Sequence, residues 1–193
     1  MAQPARASRP SIIRCVAVTG LALIVLLGLA VLIFWLAVRP KPLEYTVDDT
    51  RVHGFNITDH ALNATFDLTL RSYNRNHHVS VYYDDVEATV WYDEQLLAGA
   101  EVAPFYQPRR NVTTLDVRVA ARAAPLLSSV EKSLKRERSG GGVAFEVRVW
   151  ARIRLKVGAV KTRHYTLKAY CSPVLVRFPS AQEFEKVYCD VDI

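Results

Sequence analysis

The feature that most constrains this chain is an uninterrupted apolar run near its N-terminus, from Val16 to Val38. These 23 residues contain no charged side chain, and Thr19 is the one clearly polar residue among them. A helix needs about 20 apolar residues to cross the hydrocarbon core of a bilayer. A helix packed in a globular core would show a polar face at helical spacing, which this run lacks. The run therefore predicts a transmembrane helix.

The flanks of the run favour a retained signal-anchor with the C-terminal part outside the cytosol. A cleaved signal peptide has an apolar core of about 7–15 residues followed by a small-residue cleavage site, whereas this run ends in Arg39-Pro40-Lys41-Pro42. The N-terminal tail carries Arg6, Arg9 and Arg14 without an acid, and basic flanks favour the cytosolic side. The predicted segments are a cytosolic tail (1–15), a spanning helix (16–38), a juxtamembrane linker (39–48) and an outer domain (49–193).

Three Asn-X-Thr sequons beyond the apolar run support a secretory compartment for the outer domain. They begin at Asn56, Asn63 and Asn111, and such sequons accept N-glycans only in the secretory pathway. That compartment is oxidising, so the two cysteines beyond the run, Cys171 and Cys189, invite a disulfide. We expect a glycan on at least one of the three asparagines.

The basic character of the chain comes largely from the anchor and its flanks. The chain has 25 basic and 19 acidic side chains. Five of the basic ones lie in the first 42 residues, which contain no acid, so residues 43–193 are nearly balanced. Nucleic-acid binding requires a concentrated basic face. The composition therefore argues against a nucleic-acid partner and for a membrane.

Alternation of apolar and polar residues predicts that the outer domain is mainly β. The clearest case is VAFEVRVWARIRLKV at 143–157, where every second residue from Val143 to Val157 is apolar. Many strands with short turns and one helix are typical of an antiparallel β-sandwich of the immunoglobulin or fibronectin-III type. Further strands are predicted within 62–73, 79–102 (with a turn at Asp93-Glu94), 114–122, 164–171 and 186–193.

One helix is predicted in the stretch APLLSSVEKSLKRERSGGG, residues 124–142. Leu127, Val130 and Leu134 have near-helical spacing, which suggests one apolar stripe. Pro125 suits a first helical turn, and the three glycines at 140–142 are typical of a helix end.

The polar face of the predicted strand 143–157 is rich in cations and leaves two interpretations open. One is a weak lipid- or partner-binding face, because clustered cations bind phosphate groups. The other is the solvated outer face of a sheet, which needs no ligand, and we favour it. The cations are Arg148, Arg152, Arg154 and Lys156.

Alternation also places both outer cysteines on apolar strand faces. Cys171 is in register with Leu167 and Ala169, and Cys189 is in register with Val187 and Val191. Both thiols are therefore expected to point inward, where they can meet if their strands are neighbours. Closing this loop would contribute about 3 kcal/mol. Two buried free cysteines, packed as small apolar side chains, are the alternative.

The stretch NRNHHVSVYYDD at 74–85 raises the question of a metal or acid–base site. Neighbouring residues on a strand point to opposite faces, so His77 and His78 are badly placed to share an ion, as are Asp84 and Asp85. We interpret the stretch as a turn followed by a strand. The sequence also lacks a phosphate-binding glycine loop and the GxSxG and HExxH motifs. No catalytic or metal-binding residue, cofactor or enzymatic activity is therefore assigned.

Three short motifs occur in a characteristic order. They are Asn74 and Asn76 with Tyr82, Tyr83 and Asp84; Pro104, Phe105, Tyr106 and Gln107 with 111–114; and the Cys-Asp-Val-Asp ending at 189–192. The order and spacing of these motifs resemble the plant NHL proteins, a membrane-anchored group named for the hypersensitive response and non-race-specific resistance, with an outer late-embryogenesis-abundant group 2 (LEA-2) domain. Arg75 stands where that family has proline, which leaves the turn geometry less fixed.

The resemblance covers the predicted anchor and nearly all of residues 43–193. It implies a fibronectin-like sandwich without catalytic residues or cofactor, located at the plasma membrane or plasmodesmata, with a role in defence or stress responses. It names no protein partner. We therefore expect a non-enzymatic, single-pass membrane protein that presents an extracytosolic interaction domain. A sandwich that binds a lipid or small molecule, in its apolar interior or on the face of 143–157, is the alternative.

Overall fold

The computed structural model of the protein describes residues 10–38, 41–178 and 184–193, which belong to two compact units that divide after residue 39. The first unit contains the helix α1, Pro10–Val38, which begins six residues before the apolar run and ends with it. Between Arg14 and Ile33 this helix is long and apolar enough to cross a bilayer, and none of that stretch is buried within the protein.

The second unit is a β-sandwich. In the described part of the chain its strand pairs are antiparallel. They form one sheet in the order β6-β2-β1-β9 and another in the order β10-β8-β7-β3-β4, with β5 also paired to β3. The elements are β1 (Glu44–Thr58), β2 (Ala61–Asn74), β3 (Val79–Tyr92), β4 (Gln95–Val102), β5 (Phe105–Gln107), β6 (Asn111–Pro125), α2 (Ser128–Ser139), β7 (Gly142–Val157), β8 (Val160–Arg177), β9 (Val187–Tyr188) and β10 (Asp190–Asp192).

The alternation that predicted the strands also fills the core between the sheets, since every second side chain points inward. On β7, every second residue from Val143 to Ile153 is at most 2% exposed. Phe66 of β2 meets Phe145 of β7 across the core, edge to face, with ring centroids 5.2 Å apart. The predicted mainly β sandwich, preceded by an apolar helix, is confirmed.

The first strand was not predicted, and it moves the start of the outer domain. β1 begins at Glu44, inside the residues 39–48 assigned to a juxtamembrane linker. Tyr45 and Val47 are 2% and 0% exposed, so the linker assignment is wrong for residues 44–48. Shifts in the pairing register after Val47 and His53 interrupt the alternation of β1, and such bulges hide a period-two pattern.

Helix α2 covers one part of the core with Val130 and Leu134, which are 1% and 0% exposed. Two details of the helix prediction are wrong. Pro125 is the last residue of β6 and does not lie in the first helical turn. Leu127 caps the helix in an extended conformation and is 64% exposed, while Leu126 before it is buried.

The C-terminal stretch 186–193, predicted as one strand, contains two short strands that belong to different sheets. β9 pairs with β1, and β10 pairs with β8. Cys189 lies between β9 and β10 and forms a disulfide with Cys171 of β8. Cys171 is buried and Cys189 is half-buried, in agreement with the inward register. The disulfide therefore fastens the segment that passes from one sheet to the other to strand β8.

Candidate interaction surfaces

A chain of buried hydroxyl and amide groups links the two sheets. The hydroxyl of Tyr45 on β1 donates a hydrogen bond to the hydroxyl of Tyr83 on β3 at 2.9 Å. Tyr83 and Ser72 each donate to Oε1 of Gln107 at 3.3 Å, and Nε2 of Gln107 donates to the carbonyl of Ser72 at 2.9 Å. All four side chains are at most 2% exposed. Burial raises the pKa of both tyrosines.

Two asparagines fasten the loops next to this network. Nδ2 of Asn74 donates to the carbonyls of Val79 and Pro108, at 2.9 and 3.0 Å. Its Oδ1 accepts a bond from the backbone N–H of Asn76 at 3.0 Å. Asn76 then holds Lys41 twice: its Oδ1 accepts from the N–H of Lys41 at 2.7 Å, and its Nδ2 donates to the carbonyl of Lys41 at 2.9 Å. Three distant segments are thereby held in one arrangement.

The motif residues named from the sequence therefore divide into an inner and an outer group. The inner group holds the end of the sandwich together, and Phe105 joins it by stacking on Tyr83 with ring centroids 4.2 Å apart. The sequence assigned these residues no role, because their partners lie up to 38 positions away. The inner residues are Asn74, Asn76, Tyr83, Phe105 and Gln107, and the outer ones are Tyr82, Asp84, Pro104 and Tyr106.

We call this end of the sandwich, made of residues 41–44, 75–78, 108–110 and 156–163, the Lys41 end. The strand registers bring these segments together, since Asn74 opposes Asn111 and Val79 opposes Val157. It contains seven basic side chains and one carboxylate, whereas the rest of residues 40–193 contains 14 basic and 18 acidic ones. The Lys41 end thus has a net positive charge, whereas the rest of residues 40–193 has a net negative one. The seven cations are Lys41, Arg75, Arg109, Arg110, Lys156, Lys161 and Arg163.

The predicted basic face of β7 is largely neutralised by carboxylates of the neighbouring strand β3. Arg154 donates to both carboxylate oxygens of Asp84, at 2.7 and 2.5 Å. Nε of Arg152 lies 3.0 Å from Oδ2 of Asp85. The hydrogen bonds from Arg154 are the largest cause that lowers the pKa of Asp84. Asp84 and Asp85 therefore serve as partners of arginines. The expectation that they point to opposite faces is wrong, because a register shift between Tyr83 and Asp85 places both on the outer face.

Arg148, in the same face, is enclosed by acidic and aromatic side chains. Its guanidinium donates to Glu146 at 2.6 Å and to Glu94 at 2.9 Å, and it lies 4.3 Å from the ring centroid of Trp91. Three of the four predicted cations are therefore paired with carboxylates on the outer face of the sheet. Lys156 differs, because no carboxylate in the described part of the chain pairs with it.

His77 and His78 lie in the bend that precedes β3, both exposed, with ring centroids 6.4 Å apart. They were expected to be separated by strand alternation, and that reason is wrong because neither is on a strand. The strand face predicted after them is confirmed, since Val79, Val81 and Tyr83 are at most 3% exposed. Within the described residues, no three His, Cys, Asp or Glu side chains are grouped to hold a metal ion.

The three sequon asparagines lie in two different places. Asn56 of β1 and Asn63 of β2 oppose each other near the β1–β2 turn, far from the Lys41 end, and both are exposed. Asn111 begins β6 beside the Lys41 end and is half-buried. Its Oδ1 accepts a hydrogen bond from the hydroxyl of Thr113 at 3.4 Å.

An open groove of about 1040 Å³ lies between β1, the end of β8 and residues 184–188. Apolar side chains such as Leu175 and Phe184 share its lining with charged ones such as Asp49 and Lys186. This groove is separate from the Lys41 end and from the outer face of β7.

Comparison with known proteins shows which proteins this chain resembles. The family model described as late embryogenesis abundant protein, LEA_2, matches residues 69–171. Uncharacterized protein At1g08160 of Arabidopsis thaliana is 34% identical over 190 residues, which cover 96% of this chain and 85% of that protein. NDR1/HIN1-like protein 10 of the same plant is 32% identical over 154 residues, which cover 78% of this chain and 68% of that protein. The solution structure of AT1g01470 from Arabidopsis thaliana aligns with 76% of this chain and 87% of its own at 12% identity, with a TM-score of 0.34.

Proposed function

Because this chain belongs to the LEA_2 family of late embryogenesis abundant proteins, among its NDR1/HIN1-like members, we propose that it is a non-enzymatic, single-pass membrane protein. In this proposal α1 spans the plasma membrane with the N-terminus in the cytosol. The β-sandwich lies outside and binds protein partners in plant defence or stress responses. The family relationship supports the defence or stress role. It offers no support for a catalytic activity.

The observation that carries the membrane proposal is the surface of α1. From Arg14 to Ile33 the helix presents apolar side chains on all sides, and the protein buries none of that stretch. Leu27 and Ile24, for example, are each 69% exposed. In water, such a helix would leave a large apolar area unburied. A bilayer removes that cost, and the backbone hydrogen bonds of a helix are satisfied internally.

The outer orientation rests on the disulfide and the exposed sequons. The bond between Cys171 and Cys189 is typical of an oxidising compartment. Asn56 and Asn63 are exposed, as glycan acceptors must be.

The outer face of the six-stranded sheet is the proposed protein-binding surface. Trp150 and Tyr170 are each 40% exposed there, beside the enclosed Arg148. Trp, Tyr and Arg are the residue types most enriched where interfaces are energetically important. The double substitution Trp150→Ala with Tyr170→Ala should reduce proximity labelling of specific neighbours in intact cells. The matched double substitution Val112→Ala with Leu127→Ala, at two exposed apolar positions outside this sheet, should leave the labelling pattern unchanged.

Topology is tested directly with the full chain, tagged at its N-terminus, in plant protoplasts. Protease added outside should degrade the sandwich and leave the tagged tail with α1 in the membrane fraction. Complete protection of the sandwich in plasma-membrane preparations would reverse the proposed orientation. Recovery of the intact chain in the soluble fraction after alkaline extraction would contradict the membrane proposal itself.

A second candidate function is binding of a small molecule or lipid in the groove between β1 and the end of β8. Its volume of about 1040 Å³ is at the upper end of ordinary ligand sites, and its lining combines apolar and charged groups. Mass spectrometry of the purified protein under native conditions would detect a retained ligand. Substitution of Leu175 by Asp in the groove should then abolish retention.

A further inference from the structure

We infer that the Lys41 end of the sandwich binds the anionic headgroups of the same membrane that holds α1. This inference rests on the proposed role of α1 as a membrane anchor, and it adds a specific ligand class and a specific surface. The outer face of β7 is not the surface in question, because three of its four cations are neutralised by carboxylates.

The first observation is the lack of internal neutralisation at the Lys41 end. Of its seven cations, Arg75 pairs with Glu44 at 2.8 Å. The other six have no carboxylate within ion-pair distance in the described part of the chain. That part contains thirteen ion pairs, and the one at Arg75 is the only one of them that involves a cation of the Lys41 end. The charge of this end is therefore free to act on an external partner.

The second observation is that like charges are placed together at an energetic cost. Lys156 of β7 and Lys161 of β8 are direct register partners, and like charges in that position destabilise a sheet. Arg109 and Arg110 are adjacent in one loop, both exposed, and Arg110 has a positive φ of 51°. An anion bound between or beside these pairs would reduce the repulsion between the cations. The pairs therefore favour a surface that binds anions.

The third observation is an apolar and aromatic component among the cations. Val160, next to the β7–β8 turn, is 68% exposed. Tyr106 is 46% exposed, and its ring centroid lies 4.7 Å from that of Tyr82. Nζ of Lys161 lies 4.2 Å from the centroid of the Tyr82 ring. Tyrosine and lysine with an apolar side chain at a turn are typical of groups that sit at a membrane–water interface.

The fourth observation is the short covalent connection between α1 and Lys41, which makes lipid headgroups the nearest source of anions. Lys41 follows the last residue of α1, Val38, after two residues, and three peptide units span at most about 11 Å. Asn76 clamps Lys41 to the sandwich through two hydrogen bonds. A spanning α1 thus tethers Lys41 to the bilayer through a connection of at most about 11 Å. A lipid surface is therefore favoured over a soluble polyanion such as an acidic polysaccharide.

The experiment uses the full chain in nanodiscs of two compositions, phosphatidylcholine alone and phosphatidylcholine with phosphatidylglycerol in a three-to-one ratio. In a Cys15→Ser background, a cysteine introduced by Ala159→Cys carries an environment-sensitive fluorophore at the β7–β8 turn. Its emission should move to shorter wavelength and intensify severalfold in the anionic nanodiscs, and high salt should reverse the change. The same label introduced by Asp93→Cys, at the β3–β4 turn, should not respond.

Charge variants test which residues carry the response. The triple substitution Arg109→Gln, Arg110→Gln and Lys161→Gln should abolish most of the change at position 159. The matched triple Arg122→Gln, Lys132→Gln and Arg136→Gln removes the same charge from exposed positions elsewhere and should retain it. Equal loss in both triples would overturn the assignment to the Lys41 end.

The remaining outcomes separate this inference from the membrane proposal. Stable incorporation into both nanodiscs with no difference in emission would overturn the headgroup inference and leave the anchor intact. Failure to incorporate into either would overturn both. An equal response to soluble heparin with phosphatidylcholine nanodiscs would assign the surface to a soluble polyanion and overturn the lipid assignment.

Discussion

At the scale of single residues, the hydroxyl of Tyr83 connects the two sheets through the buried hydrogen-bond network. It accepts a hydrogen bond from Tyr45 and donates one to Gln107, in a region from which water is excluded. Unpaired buried polar groups cost more than the bonds themselves contribute. The network therefore makes the position of Gln107, and of the loop that contains it, sensitive to a single oxygen atom.

Tyr83→Phe should lower the free energy of unfolding by about 1–3 kcal/mol, because the hydroxyl of Tyr45 and one acceptor site on Gln107 lose their partner. Tyr82→Phe is the matched control on the neighbouring position. The Tyr82 hydroxyl forms no hydrogen bond in the described part of the chain, so its removal should cost less than about 0.5 kcal/mol. Urea unfolding followed by tryptophan fluorescence measures both, and equal midpoints for the two variants would contradict the role of the network.

Asp84 gives a pH-dependent prediction. Its pKa is lowered, chiefly by the hydrogen bonds from Arg154, so the folded state holds the proton more weakly than the unfolded state does. The stabilisation is therefore complete above the unfolded pKa of about 3.9 and is lost as pH falls through the lower folded value. Asp84→Asn should cost about 1 kcal/mol at neutral pH, with the difference from the wild-type protein shrinking below about pH 4.

Asp85→Asn is the control for that experiment. Asp85 also pairs with an arginine, Arg152, but both of these side chains are about half exposed, and exposed pairs contribute little. A pH-independent loss in Asp84→Asn, or an equal loss in both variants, would show that the ion pair with Arg154 is not the cause.

At the scale of elements, the C-terminus depends on the disulfide more than on its own strands. β9 and β10 have two and three residues and pair with different sheets. Strands this short have few ladder hydrogen bonds, and chain termini fray unless they are fastened. The bond from Cys189 to the buried Cys171 fastens the crossing point between them.

Replacing both cysteines by serine should lower the free energy of unfolding by about 2–4 kcal/mol. Each single replacement should cost nearly as much as the double one, because the two residues act as a unit. Hydrogen exchange at residues 187–192 should accelerate in all three variants, and Cys15→Ser should change neither quantity. Alkylation of both thiols in the non-reduced native protein would contradict the bond.

The same elements show how far sequence patterns reach. Alternation is local, so it found β2, β7 and the inward register of Cys171 correctly. It failed at β1, where bulges break the period, and at 186–193, where one alternating stretch changes sheets. It also could not show that Asp84 and Asp85 neutralise cations about 70 residues away, because strand pairing decides that contact. A ligand site on the basic face of β7 therefore stayed open as an alternative to the favoured solvated face, while the unpaired cations of the Lys41 end other than Lys156, which are scattered over three segments, were not named as a candidate surface.

At the scale of the whole molecule, the sandwich has two chemically different ends. The exposed sequon pair Asn56 and Asn63 lies near the β1–β2 turn, and the unpaired cations lie at the Lys41 end. N-glycans are bulky and keep a surface in solvent, whereas the cations suit a headgroup layer. Both assignments agree with the proposal that the Lys41 end binds headgroups and the opposite end carries glycans.

Glycan occupancy tests this polarity in one experiment. Endoglycosidase treatment of the full chain from plant cells should lower its apparent mass, and Asn56→Gln with Asn63→Gln should remove the shift. Asn111→Gln should leave it unchanged, because Asn111 is half-buried and lies beside the end that we propose to bind headgroups. Peptide mass spectrometry identifies the occupied sites. A chain without any glycan would remove the support for an extracytosolic domain. A glycan on Asn111 would keep the domain outside but hold its Lys41 end away from the membrane, so the headgroup inference would fail while the orientation stood.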